Sequence, residues 1–126
     1  MEFRPILPDD LNEWSRWATA RGVDAGSVAK AVEGRAIARI ADRKGGILYV
    51  HAAPLAANGD MDVDILFNPD ATARRVAGAI ALTADVLRKA GAKRVVFDSV
   101  AQELISFLLR HYNVKLGPST KVTVSL

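Results

Sequence analysis

The sequence predicts an α/β (α+β) fold, a mixed central sheet with helices on both faces, in the order β-α-α-β-β-β-α-β-α-β. Three observations carry this. Three β-rich runs follow one another between residues 35 and 67 with only turn residues between them, which makes that half of the sheet antiparallel. From residue 72 onward helical and strand patterns alternate, which adds parallel pairing. Residues 72–90 hold apolar side chains at helical spacing throughout.

Each element has its own local reason. FRPIL is a short strand ended by Pro8. Asp10 with Glu13 three residues on has capping-box spacing, and Leu11, Trp14 and Ala18 then share one helical face. Gly22 stops this helix, and a second, shorter one is expected from Asp24 through Val28 and Val32 to a C-cap at Gly34. RAIARIAD and ILYVHAAPL flank the turn RKGG as the arms of an antiparallel hairpin around a Gly-Gly turn. ANGD is a further turn, and MDVDILF alternates apolar and acidic residues as a half-buried strand does. Thr72 to Ala90 forms a helix with Val76, Ile80, Thr83 and Leu87 on one face, ended by Gly91. KRVVFD is a buried strand, and VAQELISFLLRHY a helix that turns Leu104, Phe107 and Leu108 inward. VKLGPSTKVTVSL closes the chain as one strand, or as two broken at Gly117-Pro118.

A chain of 126 residues fits one domain, residues 1–126. Half the residues are hydrophobic and 25% charged, which excludes a disordered chain. No apolar run approaches the roughly 20 residues that span a bilayer. The start, MEFRPILPDDLNEW, has acidic residues and prolines where a signal peptide has an apolar stretch, so a cytoplasmic protein is expected. Without cysteine there is no disulfide, thiolate nucleophile or cysteine metal site. A net charge of +3 favours a phosphate-bearing ligand or acidic partner and is too small an excess to argue nucleic-acid binding. Six basic residues (Arg74, Arg75, Arg88, Lys89, Lys93, Arg94) flank one predicted helix.

The segment ARRVAGAIAL, Ala73 to Leu82, has two readings. A helix N-terminus offers unpaired N–H groups and partial positive charge to a phosphate, and small residues permit close approach. The same small residues also suit a helix packed tightly on a sheet. Asp62 and Asp64, two apart on one strand face, are either a base whose pKa its neighbour raises or a solvent-facing edge. His51 shares its face with Ile47 and Tyr49 and is expected in the core or a cleft with one nitrogen satisfied. His111 lies near a helix C-terminus, which suits a partly charged imidazole. Neither histidine has a second ligand at metal-binding spacing, so no metal site is expected. Trp14 and Trp17 read as core, with an acceptor pocket or oligomer contact as the alternative for Trp17. There is no Ser/His/Asp motif, P-loop or dinucleotide fingerprint.

Over nearly the whole chain this order resembles the GNAT superfamily of acyl-CoA N-acyltransferases. FRPILPDDL is similar to the family's first strand and helix start, and Phe67-Asn68-Pro69 to the step that closes its fourth strand. The family's R/Q-x-x-G-x-G/A-x-x-L fits best from Arg74 to Leu82: Arg74 and Leu82 match, Ala79 is permitted, and Ala77 stands at the first glycine. The resemblance implies acetyl-CoA, with pantetheine on the backbone near Phe67. It implies pyrophosphate on Arg74, Arg75, Val76, Ala77, Gly78 and Ala79. The chain departs from the family near its end. Where a tyrosine often protonates the departing thiolate, LLRHYNV places Leu109, with Tyr112 three residues later, so no catalytic residue is assigned.

Two functions follow. One is a catalytically degenerate GNAT-like domain used as a binding, assembly or virion-associated structural module. It would self-associate or dock on a protein through exposed strands in ILYVHAAPL or KVTVSL. The alternative is an acetyl-CoA-dependent N-acetyltransferase acting on an amine.

Overall fold

The computed structural model describes residues 1–22, 24, 26, 29, 30, 33–99 and 102–126. The helix expected through Val28 and Val32 lies outside them. In chain order come β1 (Glu2–Pro5), a single 3-10 turn (Pro8–Asp10), α1 (Leu11–Ala20), β2 (Ala36–Asp42), β3 (Gly45–Ala52) and β4 (Asp60–Phe67). Then follow α2 (Ala73–Lys89), β5 (Arg94–Asp98), α3 (Gln102–His111), β6 (Asn113–Leu116) and β7 (Lys121–Ser125). The seven strands form one mixed sheet in the order β1-β2-β3-β4-β5-β7-β6. Among the described residues only the β4–β5 pair is parallel. The closing segment is therefore two strands, separated at Gly117 to Thr120.

The strand period of two gives each face its own core. On one face Trp14, Trp17 and Ala18 of α1 pack on Tyr49 and Leu66. On the other, Ile80 and Leu87 of α2 and Leu108 of α3 pack over Leu48, Val50, Val63, Val95 and Val122. The predicted α2 stripe is the buried one: Ile80, Thr83 and Leu87 are all inside. Both tryptophans are core residues.

The start of α1 differs from the expected capping box. Asp10 makes no side-chain cap bond to α1. Its carboxylate accepts the Leu7 N–H at 2.7 Å and a bidentate pair from Arg4 at 2.6 and 2.9 Å. The Arg4 hydrogen bond holds the Asp10 carboxyl down at about 2. Glu13 instead accepts from Arg39 Nε at 2.8 Å and from the Tyr49 hydroxyl at 2.7 Å. Burial and the Glu13 hydrogen bond push the Tyr49 phenol up. Leu11, expected on the inner face, is 54% exposed at the first residue of α1, directly after the 3-10 turn. Arg39→Met would leave Glu13 half-buried without its cation. We expect a loss of about 2 kcal/mol in urea unfolding, the range for hydrogen bonds to charged groups.

The hairpin also differs in detail. Arg43 and Lys44 make the turn, and both glycines belong to β3. Gly46 is needed for close approach: a Cβ there would lie 2.8 Å from both Glu13 Oε1 and Trp17 Cη2. The strands expected to be exposed are interior. β3 lies between β2 and β4 and is buried over most of its length, and β7 lies between β5 and β6. An apolar run such as ILYV is what a strand covered on both faces requires. The sheet's edges are β1 and β6. No helix among the described residues is long and apolar enough to cross a membrane.

Candidate functional site

The site begins where two strands part. β4 and β5 pair only at Asp60–Arg94, Met61–Val95 and Asp62–Val96. Beyond that point β4 stays with β3 as far as Phe67, while β5 turns to β7 through Asp98. A slot opens between them. The Asp62 carbonyl accepts from Ala53 and the Asn68 N–H donates to Ile47, so even-numbered β4 backbone groups face β3. By alternation the C=O of Val63 and the N–H and C=O groups of Ile65 and Phe67 face the slot with no strand across it, while the Val63 N–H closes the ladder against Val96. An extended ligand strand has a ready template there.

The two faces of the slot differ chemically. On the α1 side, Arg35, Asp62, Asp64, Asp98 and Lys121 help line a pocket of about 280 Å³. Arg35 pairs with Asp64 at 3.5 Å, and the Thr120 hydroxyl donates to Asp98 at 3.0 Å. Asp62 and Asp64 thus stand on the face of an interior strand beside the opening, not at a sheet edge. On the other side, α2 and α3 diverge to leave a groove of about 690 Å³. Its walls include Phe67, Ala73, Val76, Ala77, Phe107 and Arg110.

At the mouth of that groove α2 begins. Thr72 is the N-cap: its hydroxyl accepts the Arg75 N–H at 3.3 Å, and its carbonyl accepts the Val76 N–H at 3.0 Å. The N–H groups left without an intrahelical acceptor are those of Ala73 and Arg74. Ala77, Gly78 and Ala79 lie in the second turn, where each N–H bonds back along the helix. Gly78 turns away from the groove, since a Cβ there would lie 3.0 Å from Met1 Cε, and Ala79 is fully buried. Ala77 and Val76 do face the groove. Arg74 is exposed beside the free N–H groups. Arg75 is committed elsewhere: Nε and Nη2 bond the Asp42 carboxylate at 2.8 Å each, and Nη2 reaches the Gly45 carbonyl at 3.2 Å. This pair holds the Asp42 carboxyl down at about 2 and ties α2 to the β2–β3 hairpin.

His51 lies beneath the polar face. It is the register partner of Asp64 and is 2% exposed. Trp14 Nε1–H donates to His51 Nε2 at 2.9 Å, and Nδ1 has no partner among the described residues. One satisfied nitrogen is what the sequence suggested. Burial pushes its pKa down to about 4, against the opposing pull of Asp64.

The end of the chain supplies no tyrosine to the slot. Leu109 is 50% exposed on α3, away from the opening. Tyr112 packs under α2 near Ala84 and Leu126. Among the described residues, no three His, Asp or Glu side chains converge as a metal site requires. Several lining residues were missed by sequence reasoning, Asp98, Lys121, Arg35 and Arg110 among them. Asp98 was findable as the carboxylate that ends the predicted strand KRVVFD. Arg35 and Arg110 have no local signal, because tertiary packing alone brings them there.

No protein-family model matches the chain, and no curated protein has a similar enough sequence to count as a match. Solved structures do match. The GNAT domain of S. lividans PAT aligns at a TM-score of 0.65 with 18% identity, over 98% of this chain and 88% of that one. Ribosomal-protein-alanine N-acetyltransferase from Brucella melitensis aligns at 0.65 with 10% identity, over 98% and 96%. The yncA protein of Salmonella typhimurium, solved with its cofactor acetyl-CoA, aligns at 0.60 with 12% identity, over 98% and 91%. At these identities the likeness concerns the path of the chain. The chain has the fold of the GNAT acyl-CoA N-acyltransferases.

Proposed function

We propose that this protein binds acyl-CoA in the β4–β5 slot and transfers the acyl group to an amine. The opening of the strands beyond Asp62–Val96 is the observation that carries this reading. A filled seam would have favoured a purely structural role. The slot fits the ligand's chemistry. Backbone groups of Val63, Ile65 and Phe67 can pair with the amides of a pantetheine arm, and the N–H groups of Ala73 and Arg74 can hold a pyrophosphate. The Arg74 side chain adds positive charge at that end. Bound acyl-CoA would supply an activated thioester carbonyl. On the polar face, Asp62, Asp64 and Asp98 would attract a cationic amine and accept its proton directly or through water, leaving the neutral nucleophile.

A second reading, binding without transfer, has one observation in its favour. No tyrosine hydroxyl lines the slot among the described residues, so departing thiolate has no obvious protein acid. Calorimetry with acetyl-CoA separates the outcomes. The proposal expects saturable binding, and slow release of free thiol when amines are added. Binding with no thiol release for any amine would leave only the second reading. No heat at millimolar acetyl-CoA would overturn both.

A further inference from the structure

Behind the slot, on the α2–α3 side of the sheet, lies a small recess of about 50 Å³. Ile65, Phe97 and Leu104 line both this recess and the slot, so the two adjoin. Its other walls include Val63, Thr83, Ala84 and Tyr112. The Thr83 hydroxyl donates to the Ala79 carbonyl at 2.8 Å, so the one polar side chain on that wall of α2 is already satisfied. A water needs two to four polar partners, and this recess does not provide them, so an apolar occupant is favoured. Size limits the occupant. Liquid water takes about 30 Å³ per molecule, so the recess holds roughly two carbon-sized groups and excludes a long chain.

We propose that the acyl group this protein takes is a short chain of three or four carbons, its tail lodged in the recess among Ile65, Ala84, Phe97 and Leu104. This rests on the acyl-CoA reading and adds the donor's chain length. An acetyl group leaves the recess empty, whereas propionyl and butyryl tails reach into it and gain apolar contact. A much longer tail exceeds the recess and gains no further contact within it.

The test is a calorimetric series with free CoA, acetyl-CoA, propionyl-CoA, butyryl-CoA and octanoyl-CoA on the wild-type chain. Affinity should rise roughly fourfold per methylene from acetyl to butyryl, the usual worth of a buried methylene, and fall again at octanoyl. Ala84→Leu, which fills the recess from α2, should flatten the rise, and Thr83→Ile should do the same from the adjacent position. Equal affinity for acetyl-CoA and butyryl-CoA would overturn this proposal while leaving acyl-CoA binding intact. A rise that persists in both filled variants would overturn it too, by placing the tail elsewhere. Failure of every ligand, free CoA included, would overturn the acyl-CoA reading and this proposal with it.

Discussion

Trp14→Ala should cost about 4 kcal/mol of folding stability, within the usual range for truncating a buried aromatic side chain. The indole is 6% exposed, packs with α1 against the sheet, and donates the hydrogen bond that satisfies His51 Nε2. Its removal opens a cavity and leaves a buried imidazole with no partner at either nitrogen. Trp14→Phe keeps most of the volume and deletes only the donor, so it should cost about 1–2 kcal/mol. The same pair predicts a pH dependence. His51 is neutral in the fold with a pKa of about 4, and the unfolded chain titrates near 6.5. Between those values the unfolded chain binds the extra proton. Stability is therefore complete above pH 6.5 and declines as pH falls toward 4, by about 3 kcal/mol in all. Glu13, Asp10 and Asp42 have lowered pKa values, so their stabilisation is full above their unfolded values and is lost only as pH falls below those. The slope between pH 6.5 and 5 should thus vanish in His51→Gln. Urea midpoints across this range read both effects, and an unchanged slope in the variant would remove His51 from the account.

The second large effect concerns binding. Ala77→Glu should weaken acetyl-CoA at least about 100-fold, equivalent to about 2.7 kcal/mol. Ala77 faces the α2–α3 groove one turn below the free N–H groups. A glutamate there occupies the groove and sets a negative charge beside the proposed pyrophosphate position. The site is half-exposed and helical, where glutamate is a good helix former, so the fold should survive. Circular dichroism checks the fold and calorimetry the affinity. An unchanged affinity in a folded variant would place the ligand elsewhere.

The parts of this molecule legible in the sequence are those set by local pattern. Ile80, Thr83 and Leu87 announce the buried face of α2 through spacing alone, and Thr72 its start. The order of strands followed from periodicity and turn residues. What stayed hidden depends on partners distant in sequence. Asp10 and Glu13 have capping-box spacing, but Arg4 and Arg39 take their carboxylates. Arg75 looks like a phosphate ligand beside Arg74 until Asp42, 33 positions away, claims it. The resemblance suggested a cradle from Arg74 to Ala79, whereas the helix begins at Ala73 and leaves its free N–H groups at Ala73 and Arg74. The slot itself has no local signature. It exists because β5 leaves β4 after Val96 and keeps pairing with β7, a choice made by the whole sheet.

Amide hydrogen exchange followed by NMR tests the central claim most directly, that an open β4–β5 slot receives acyl-CoA. Without ligand, the amides of Ile65 and Phe67 should exchange much faster than those of Asp64 and Leu66, which face β3. Saturating acetyl-CoA should then slow Ile65 and Phe67 and shift the amides of Ala73 and Arg74, leaving β1 and β6 unchanged. Equal protection of all four β4 amides without ligand, or perturbations that miss this set, would contradict the account.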